Sequence, residues 1–221
     1  MTAYVSYDTY DLDRVIPVGS ASAVLGNRAK FLPQDTYRVY DLLQALLAFS
    51  ANDAAEALAQ AHPRERAGFI SAMNATAQRL GLKQTSFNNP TGLDSAQQFS
   101  SAHDLGILAD AILELPTVSQ VVNRSVVTIR EQKTGRPTVV YSTNALLGKD
   151  PRYQGVKTGT TDLAGESLII RYVDTTATSS ATPHGTDFIL VLLGSQQRFI
   201  DAQALINWAR EAAQPVQRTL Q

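Results

Sequence analysis

The spacing of apolar residues divides the chain into a helical first part and a strand-rich second part. Between residues 36 and 115, apolar positions recur every three or four residues, as on one face of a helix. The clearest stripe predicts a helix over 39–49 and consists of Val39, Leu42, Leu43, Leu46 and Leu47. Further helices are predicted at 52–61, from Pro63 to Leu80 with Gly81 as the C-cap, and at 102–114, capped by Ser100 or Ser101 and stopped by Pro116.

After residue 116, short β-branched runs predict antiparallel strands followed by one helix. Segments 125–130 and 138–141 flank the hairpin loop 133–137, and segments 167–173 and 188–193 form a second pair around the polar loop 174–185. The last helix is predicted at 199–213, with an apolar face of Phe199, Ala202, Leu205, Ile206 and Ala209. This order predicts an α+β fold, an antiparallel sheet packed with helices. We expect one domain over 1–221, with a helical region at about 36–116 and a sheet region at about 117–213.

Composition and charge exclude several functional classes. Nineteen basic and 20 acidic residues give a formal charge of −1, which argues against a nucleic-acid-binding protein. No run of 18 apolar residues is present, so no membrane span is predicted. The chain has no cysteine and three widely separated histidines, so we expect neither a metal site nor another cofactor. The first eight residues contain no basic residue, and no signal peptide is predicted.

Two short polar motifs are candidates for chemistry. Ser50-Ala51-Asn52 lies between two predicted helices, and Lys157-Thr158-Gly159 follows a predicted strand. Taken separately, each has an ordinary structural interpretation, as a helix N-cap and as a solvent-facing lysine before a turn. Taken together, a Ser-x-Asn loop followed by Lys-Thr-Gly is typical of class A β-lactamases and penicillin-binding proteins. A second Lys-Thr-Gly, at 133–135, is predicted to be only a hairpin tip.

The surrounding sequence resembles one family. The stretches 41–55, 80–87, 92–94 with 100–104, 144–147 and 155–165 occur in the order found in the D-alanyl-D-alanine carboxypeptidases, which are low-molecular-weight penicillin-binding proteins of peptidase family S11. The resemblance extends to about residue 213. It implies a β-lactamase/transpeptidase-like fold and an extracytoplasmic enzyme of the cell envelope. Such an enzyme cleaves the terminal D-Ala from peptidoglycan pentapeptides through an acyl-serine and takes β-lactams as ligands. The motifs do not separate carboxypeptidase from endopeptidase action.

The resemblance assigns roles to both motifs. Ser50 would pass protons between the catalytic lysine, the nucleophile and the leaving amine, and the Asn52 amide would hold the substrate's peptide carbonyl. The family's nucleophile belongs to a Ser-x-x-Lys motif, and no serine of these 221 residues has a lysine three positions later. Residues 1–5 resemble the helix that directly follows that motif. We therefore expect an N-terminally truncated chain that lacks the nucleophile and the first strands, and is inactive as written.

In the second motif, the resemblance implies a substrate-binding strand. Lys157 would supply positive charge for the substrate's carboxylate, and the Thr158 hydroxyl would donate to the same group. Gly159, lacking a side chain, would let the substrate backbone lie along the strand. The backbone N–H of Thr160 would be one of two oxyanion donors, and the other would come from the missing serine.

Two other interpretations remain open. The chain could be a non-catalytic relative that binds peptidoglycan peptides or a partner, or a fragment without function. Removing strands from a sheet leaves an unpaired edge and an uncovered core. We therefore expect a marginally stable fold unless residues 12–18 or a partner copy cover that edge.

Overall fold

The predicted helices and strands occur in the predicted order, together with two short strands at 15–17 and 36–38 and a helix at 116–122 that the sequence analysis did not predict. The computed structural model describes residues 1–175 and 186–212, so most of the predicted 174–185 loop lies outside the described residues. The elements in chain order are α1 (Thr2–Thr9), β1 (Val15–Pro17), a 3-10 turn (Gly19–Ala23), β2 (Thr36–Arg38), α2 (Val39–Gln44), a π-helical turn (Ala45–Phe49), α3 (Asn52–Gln60), α4 (Glu65–Arg79), α5 (Ala102–Leu113), α6 (Pro116–Val122), β3 (Val126–Arg130), β4 (Pro137–Tyr141), β5 (Tyr153–Thr161), β6 (Gly165–Asp174), β7 (Thr186–Ser195) and α7 (Arg198–Ala212).

All strand pairs in the described residues are antiparallel, which confirms the predicted α+β class. The main sheet has the order β5-β6-β7, and β1-β2 and β3-β4 form separate two-stranded ribbons. Helices α5 and α7 both contact this main sheet. Segment 12–18 contributes β1, which pairs with β2 and not with the main sheet. Within the described residues, β5 is therefore an edge strand paired only with β6.

The core has two main parts. The larger lies around α2 and α3, where the predicted apolar stripe is buried and alanines let α3 pass through the interior. The smaller lies between the main sheet and α7 and consists of Leu146, Leu168, Ile170, Tyr172, Ala202 and Ile206. Each large apolar side chain buried in this way contributes about 1.5–3 kcal/mol. Because α3 lies in the core, its first residue, Asn52, is buried.

Several details of the helices differ from prediction. The stripe over 39–49 does not form one continuous α-helix, because it widens into the π-helical turn after Gln44. Helix α4 begins at Glu65, two residues after Pro63. Pro116 ends α5 as predicted but also begins α6, where its fixed φ suits the first position of a helix. Leu205 is 39% exposed, because α7 turns Ala202 and Ile206 toward the sheet and leaves Leu205 at the side.

The second Lys-Thr-Gly lies in the turn between β3 and β4, which confirms the predicted hairpin tip. The carboxylate of the preceding Glu131 is buried and accepts hydrogen bonds from the backbone N–H and hydroxyl of Thr36, 2.9 and 3.0 Å away, and from those of Thr134, 2.6 and 2.8 Å away. Burial by itself would raise the pKa of Glu131, but these hydrogen bonds outweigh it and lower the pKa to about 2. The hairpin tip is thereby attached to β2.

Through the carboxylate of Glu131, the stability of the folded chain depends on pH. Since its pKa in the folded chain is below the ordinary value of 4.5, its contribution is complete above that value and is lost as the pH falls toward 2. We expect Glu131→Gln to lower the unfolding temperature at neutral pH and to lose less stability than wild type on acidification. Thermal unfolding followed by circular dichroism measures both effects. Glu114→Gln, at an exposed position, is the control, and equal acid sensitivity of wild type and Glu131→Gln would contradict the assignment.

Candidate active site

Ser50 lies at a sharp turn between the π-helical turn and α3. It has φ 61° and ψ 41°, in the left-handed region, which costs a non-glycine residue about 1–3 kcal/mol. Asn27 holds both sides of this turn, since its side-chain amide donates to the carbonyl of Phe49 and its carbonyl accepts from the N–H of Asn52 at 2.8 Å. The Ser50 hydroxyl has no hydrogen-bond partner within residues 1–175 and 186–212 and is only partly buried.

Asn52 is 5% exposed and packs closely against the segment before β2. Its Nδ2 donates to the carbonyl of Leu25 at 2.8 Å, and a Cβ on Gly26 would lie 2.5 Å from the same nitrogen. Only glycine therefore permits this approach. Neither Ser50 nor Asn52 caps α3, because the N-cap residue is Ala51 and makes no side-chain capping bond. The ordinary interpretation of this motif as a helix cap is wrong.

Lys157 lies on β5, beside a β-bulge between Gly155 and Lys157. Its Nζ donates to the carbonyl of Thr158 at 2.7 Å. Burial, followed by the positive charge of Arg198, lowers the pKa of Lys157 to about 8.

The two motifs meet through Thr143. Its hydroxyl is hydrogen-bonded to the hydroxyl of Thr158, and its N–H donates to the carbonyl of Ala48 at 3.0 Å, two residues before Ser50. Strand β5 also contacts the π-helical turn directly. Thr158 and Ala48, which are more than 100 positions apart in sequence, are thus joined by two hydrogen bonds through one residue, one from its side chain and one from its backbone. Sequence reasoning missed Thr143, although it directly precedes the matched stretch 144–147.

Arg198, the first residue of α7, holds the far part of the strand. Its Nη1 donates to the carbonyl of Gly159 at 2.6 Å and to the hydroxyl of Thr160 at 2.7 Å. Gly159 is exposed, and nothing lies within 4 Å of the place where a Cβ would be. Arg198 also brings a second positive charge close to Lys157. No local sequence pattern indicated Arg198, because only the packing of α7 on the sheet brings it to β5.

A loop at 88–98 closes the other side of the site. The carbonyl of Pro90 accepts from the Thr2 hydroxyl at 2.6 Å, which attaches the loop to the start of α1. Asp94 Oδ2 accepts from the N–H of Leu163, in the turn between β5 and β6, at 3.2 Å. The loop thus bridges α1 and the tip of the β5-β6 hairpin, and it carries the matched Gly-Leu-Asp stretch.

A sequence profile described as D-alanyl-D-alanine carboxypeptidase, Peptidase S11, matches residues 1–197. The chain belongs to this family. Its curated relatives include D-alanyl-D-alanine carboxypeptidase DacF of Bacillus subtilis, 33% identical over 149 residues covering 67% of this chain and 38% of the relative. Another is DacC of Escherichia coli, 32% identical over 225 aligned positions covering 94% of this chain and 52% of the relative. The chain therefore spans about half or less of the length of these two relatives.

The solved structures agree with membership of the D-alanyl-D-alanine carboxypeptidase family. A serine-to-alanine mutant of the Streptomyces K15 DD-transpeptidase superposes with a TM-score of 0.81 at 28% identity, over 94% of this chain and 84% of that one. The chain thus has the fold of the DD-transpeptidases and penicillin-binding proteins, which confirms the predicted β-lactamase/transpeptidase-like architecture.

Within the described ranges, no group of three or more His, Cys, Asp or Glu side chains is placed to hold a metal ion. In the same part of the chain, no single helix is long and apolar enough to cross a membrane. Helices α5 and α6 meet the length and composition criteria only as a pair, bent by 110° at the break between them.

Proposed function

We propose that this site binds the D-Ala-D-Ala end of peptidoglycan stem peptides, with β-lactams as ligands of the same site. The observation that carries the proposal is the connection of Thr158 through Thr143 to the turn that holds Ser50. The residues inferred to bind the substrate's carboxylate and the residues inferred to hold its reacting peptide bond are joined by this connection.

The positive charges support a carboxylate ligand. Lys157 has no carboxylate within ion-pair distance among the residues that the structure describes, and its pKa is lowered by burial and by Arg198. Burial and the nearby charge of Arg198 both disfavour the charged form of Lys157. An anionic group placed beside Lys157 and the Thr158 hydroxyl would offset both effects. The C-terminal carboxylate of a peptide is such a group.

The free hydrogen-bonding groups support an extended peptide. One N–H of the Asn52 side-chain amide donates to the carbonyl of Leu25. No residue of the described part donates to Asn52 Oδ1. The second N–H and the oxygen therefore remain for a substrate amide. The exposed Gly159 lies on an edge strand with space above its Cα. A peptide that adds to this edge would bind with its carboxylate at residues 157–158 and its scissile carbonyl at the N–H of Thr160.

We further propose that these 221 residues bind substrate without turnover. Acyl transfer in this family uses the serine of Ser-x-x-Lys, and that motif is absent from these 221 residues. In a chain that includes the motif, Ser50 would relay protons, and the reaction would be removal of D-Ala or, alternatively, endopeptidase cleavage. We propose the cell envelope as the place of action, as the family implies. The second candidate function is that of a non-catalytic relative, which binds the peptide and performs no reaction. The absence of the Ser-x-x-Lys motif from these 221 residues favours this candidate.

Stereospecific binding tests this proposal. We expect acetyl-norleucyl-D-Ala-D-Ala to bind in isothermal titration calorimetry, whereas the L-Ala-L-Ala isomer binds at least about tenfold more weakly, because its methyl groups point to the wrong sides of the strand. Intact-mass spectrometry after incubation with penicillin should show no covalent adduct. Equal affinity for both isomers, or no binding of either, would reject the proposed site. A covalent adduct would reject the proposed lack of turnover.

A further inference from the structure

Residues 25–31 lie against the start of α3, and we call this segment the brace. Its first carbonyl accepts from the side-chain amide of Asn52. Near its other end, the N–H groups of Ala29 and Phe31 donate to the buried carboxylate of Asp53, at 3.1 and 3.3 Å. The brace is therefore attached to α3 at both ends, so its position is fixed by the core that surrounds this helix.

Asn27 lies between these two attachments and bonds to the chain on both sides of Ser50. Its Nδ2 donates to the carbonyl of Phe49, directly before Ser50. Its own carbonyl accepts from the N–H of Asn52, two residues after Ser50, at 2.8 Å. The side chain and the backbone of one residue thus hold the two ends of the turn at a fixed separation.

The conformation of Ser50 gives this contact a specific task. At φ 61° and ψ 41°, Ser50 is in the left-handed region, which its Cβ disfavours. If the Phe49 carbonyl were free, Ser50 would relax toward a conformation that a residue with a side chain prefers. The peptide bonds that lead into α3 would rotate with it. Such a rotation would redirect the Ser50 hydroxyl and displace the Asn52 amide.

We propose that Asn27 is a positioning residue of the site. By holding the Phe49 carbonyl, its side chain keeps Ser50 in the left-handed conformation and so sets where the Ser50 hydroxyl and the Asn52 amide meet the substrate. The inference rests on the proposed function and adds the residue that maintains this part of the geometry. Glycine adopts the left-handed conformation without strain, so a glycine at position 50 should reduce the need for Asn27.

A double-mutant cycle tests this dependence. Wild type, Asn27→Ala, Ser50→Gly and the double variant are titrated with acetyl-norleucyl-D-Ala-D-Ala by calorimetry. With serine at position 50, we expect Asn27→Ala to lower the affinity about three- to tenfold, the size of one net hydrogen bond. With glycine at position 50, the same substitution should lower it by less than about twofold. The cycle subtracts the effect of Ser50→Gly itself.

Asn27→Asp tests the donor with no change of shape. It replaces the N–H that bonds to Phe49 by a carboxylate oxygen, so the affinity at neutral pH should fall at least as far as in Asn27→Ala. Asn207→Asp makes the same change of charge at an exposed position on α7 and should keep the wild-type affinity. Because Asn27 is exposed, we expect its variants to fold and to unfold only about 2–4 °C below wild type, measured by circular dichroism.

An equal loss of affinity with serine and with glycine at position 50 would show that Asn27 acts independently of the Ser50 conformation, and would overturn the inference. Unchanged affinity in Asn27→Ala and Asn27→Asp would do the same. Both results leave the proposed function standing, because wild type still binds the D-Ala-D-Ala peptide. Failure of wild type to bind that peptide overturns both.

Discussion

Replacement of Lys157 by methionine lowers the affinity for a D-Ala-D-Ala peptide at neutral pH by about 10- to 100-fold, which corresponds to the loss of one charge-assisted hydrogen bond of about 1.5–3 kcal/mol. Methionine keeps the length and the apolar stem of lysine and removes only the charge. The affinity is measured by calorimetry, with Lys83→Met as a matched control at an exposed lysine outside the site.

The same residue gives the binding a pH dependence with a definite sign. The pKa of Lys157 is lowered to about 8, so the ammonium is present below that pH and lost above it. Affinity in wild type should therefore fall as the pH rises above about 8, well before a typical lysine would titrate, whereas Lys157→Met shows no such fall.

Stability provides the control for misfolding. Since the pKa of Lys157 is lower in the folded chain than its ordinary value of 10.5, folding disfavours the charged form, and its removal should raise the unfolding temperature. Weaker binding together with equal or greater stability supports the assigned role. Affinity that is unaffected by the substitution, or that does not change across pH 8, removes Lys157 from the binding site.

Gly155→Ala is expected to destabilise the chain by about 1–3 kcal/mol, as inserting a methyl into a packed interior typically does. A Cβ at this position would lie 2.3 Å from the carbonyl oxygen of Val122, and 3.2 Å from the side chain of Leu147. The backbone oxygen cannot rotate away, and the N–H of Gly155 is held by Asn123 Oδ1 at 2.9 Å. This clash is relieved only if β5 moves away from α6, and the movement would occur close to the bulge that precedes Lys157.

Gly159→Ala, four residues along the same strand, is the matched comparison. Its new methyl meets no atom within 4 Å, so stability should change by less than about 0.5 kcal/mol. Peptide affinity should nevertheless fall, because the methyl occupies the space proposed for the substrate backbone. Thermal unfolding and calorimetry separate the two effects. Similar unfolding temperatures for both variants would show that β5 tolerates Gly155→Ala, and unchanged affinity in Gly159→Ala would argue against strand addition.

Local patterns determined most of the secondary structure. The β-branched runs after residue 116 predicted β3, β4, β6 and β7, because such side chains suit a pleated sheet whatever lies beyond it. The stripe beginning at Val39 predicted the buried face of α2 in the same way. The change to a π-helical turn after Gln44 was not predictable, since the apolar spacing of its residues is equally compatible with an α-helix.

Some residues of the candidate site were likewise found from the sequence, and others only from the structure. Ser50, Asn52 and residues 157–160 were found from their order and their surrounding sequence, and family membership followed from those stretches and from the profile match. Their side-chain environment could not be found in this way. Asn27, Thr143 and Arg198 are ordinary residues in ordinary local contexts.

The sequence by itself determined the family, the fold class and the two motifs, because these depend on residue type and on spacing along the chain. Only the tertiary structure decided that Thr143 joins the motifs, that Arg198 reaches β5 from α7, and that Asp94 lies at the tip of the β5-β6 hairpin. The physical reason is that hydrogen bonds between distant segments depend on how helices and strands pack. That packing is set by the whole core and leaves no periodic pattern at the residues it brings together.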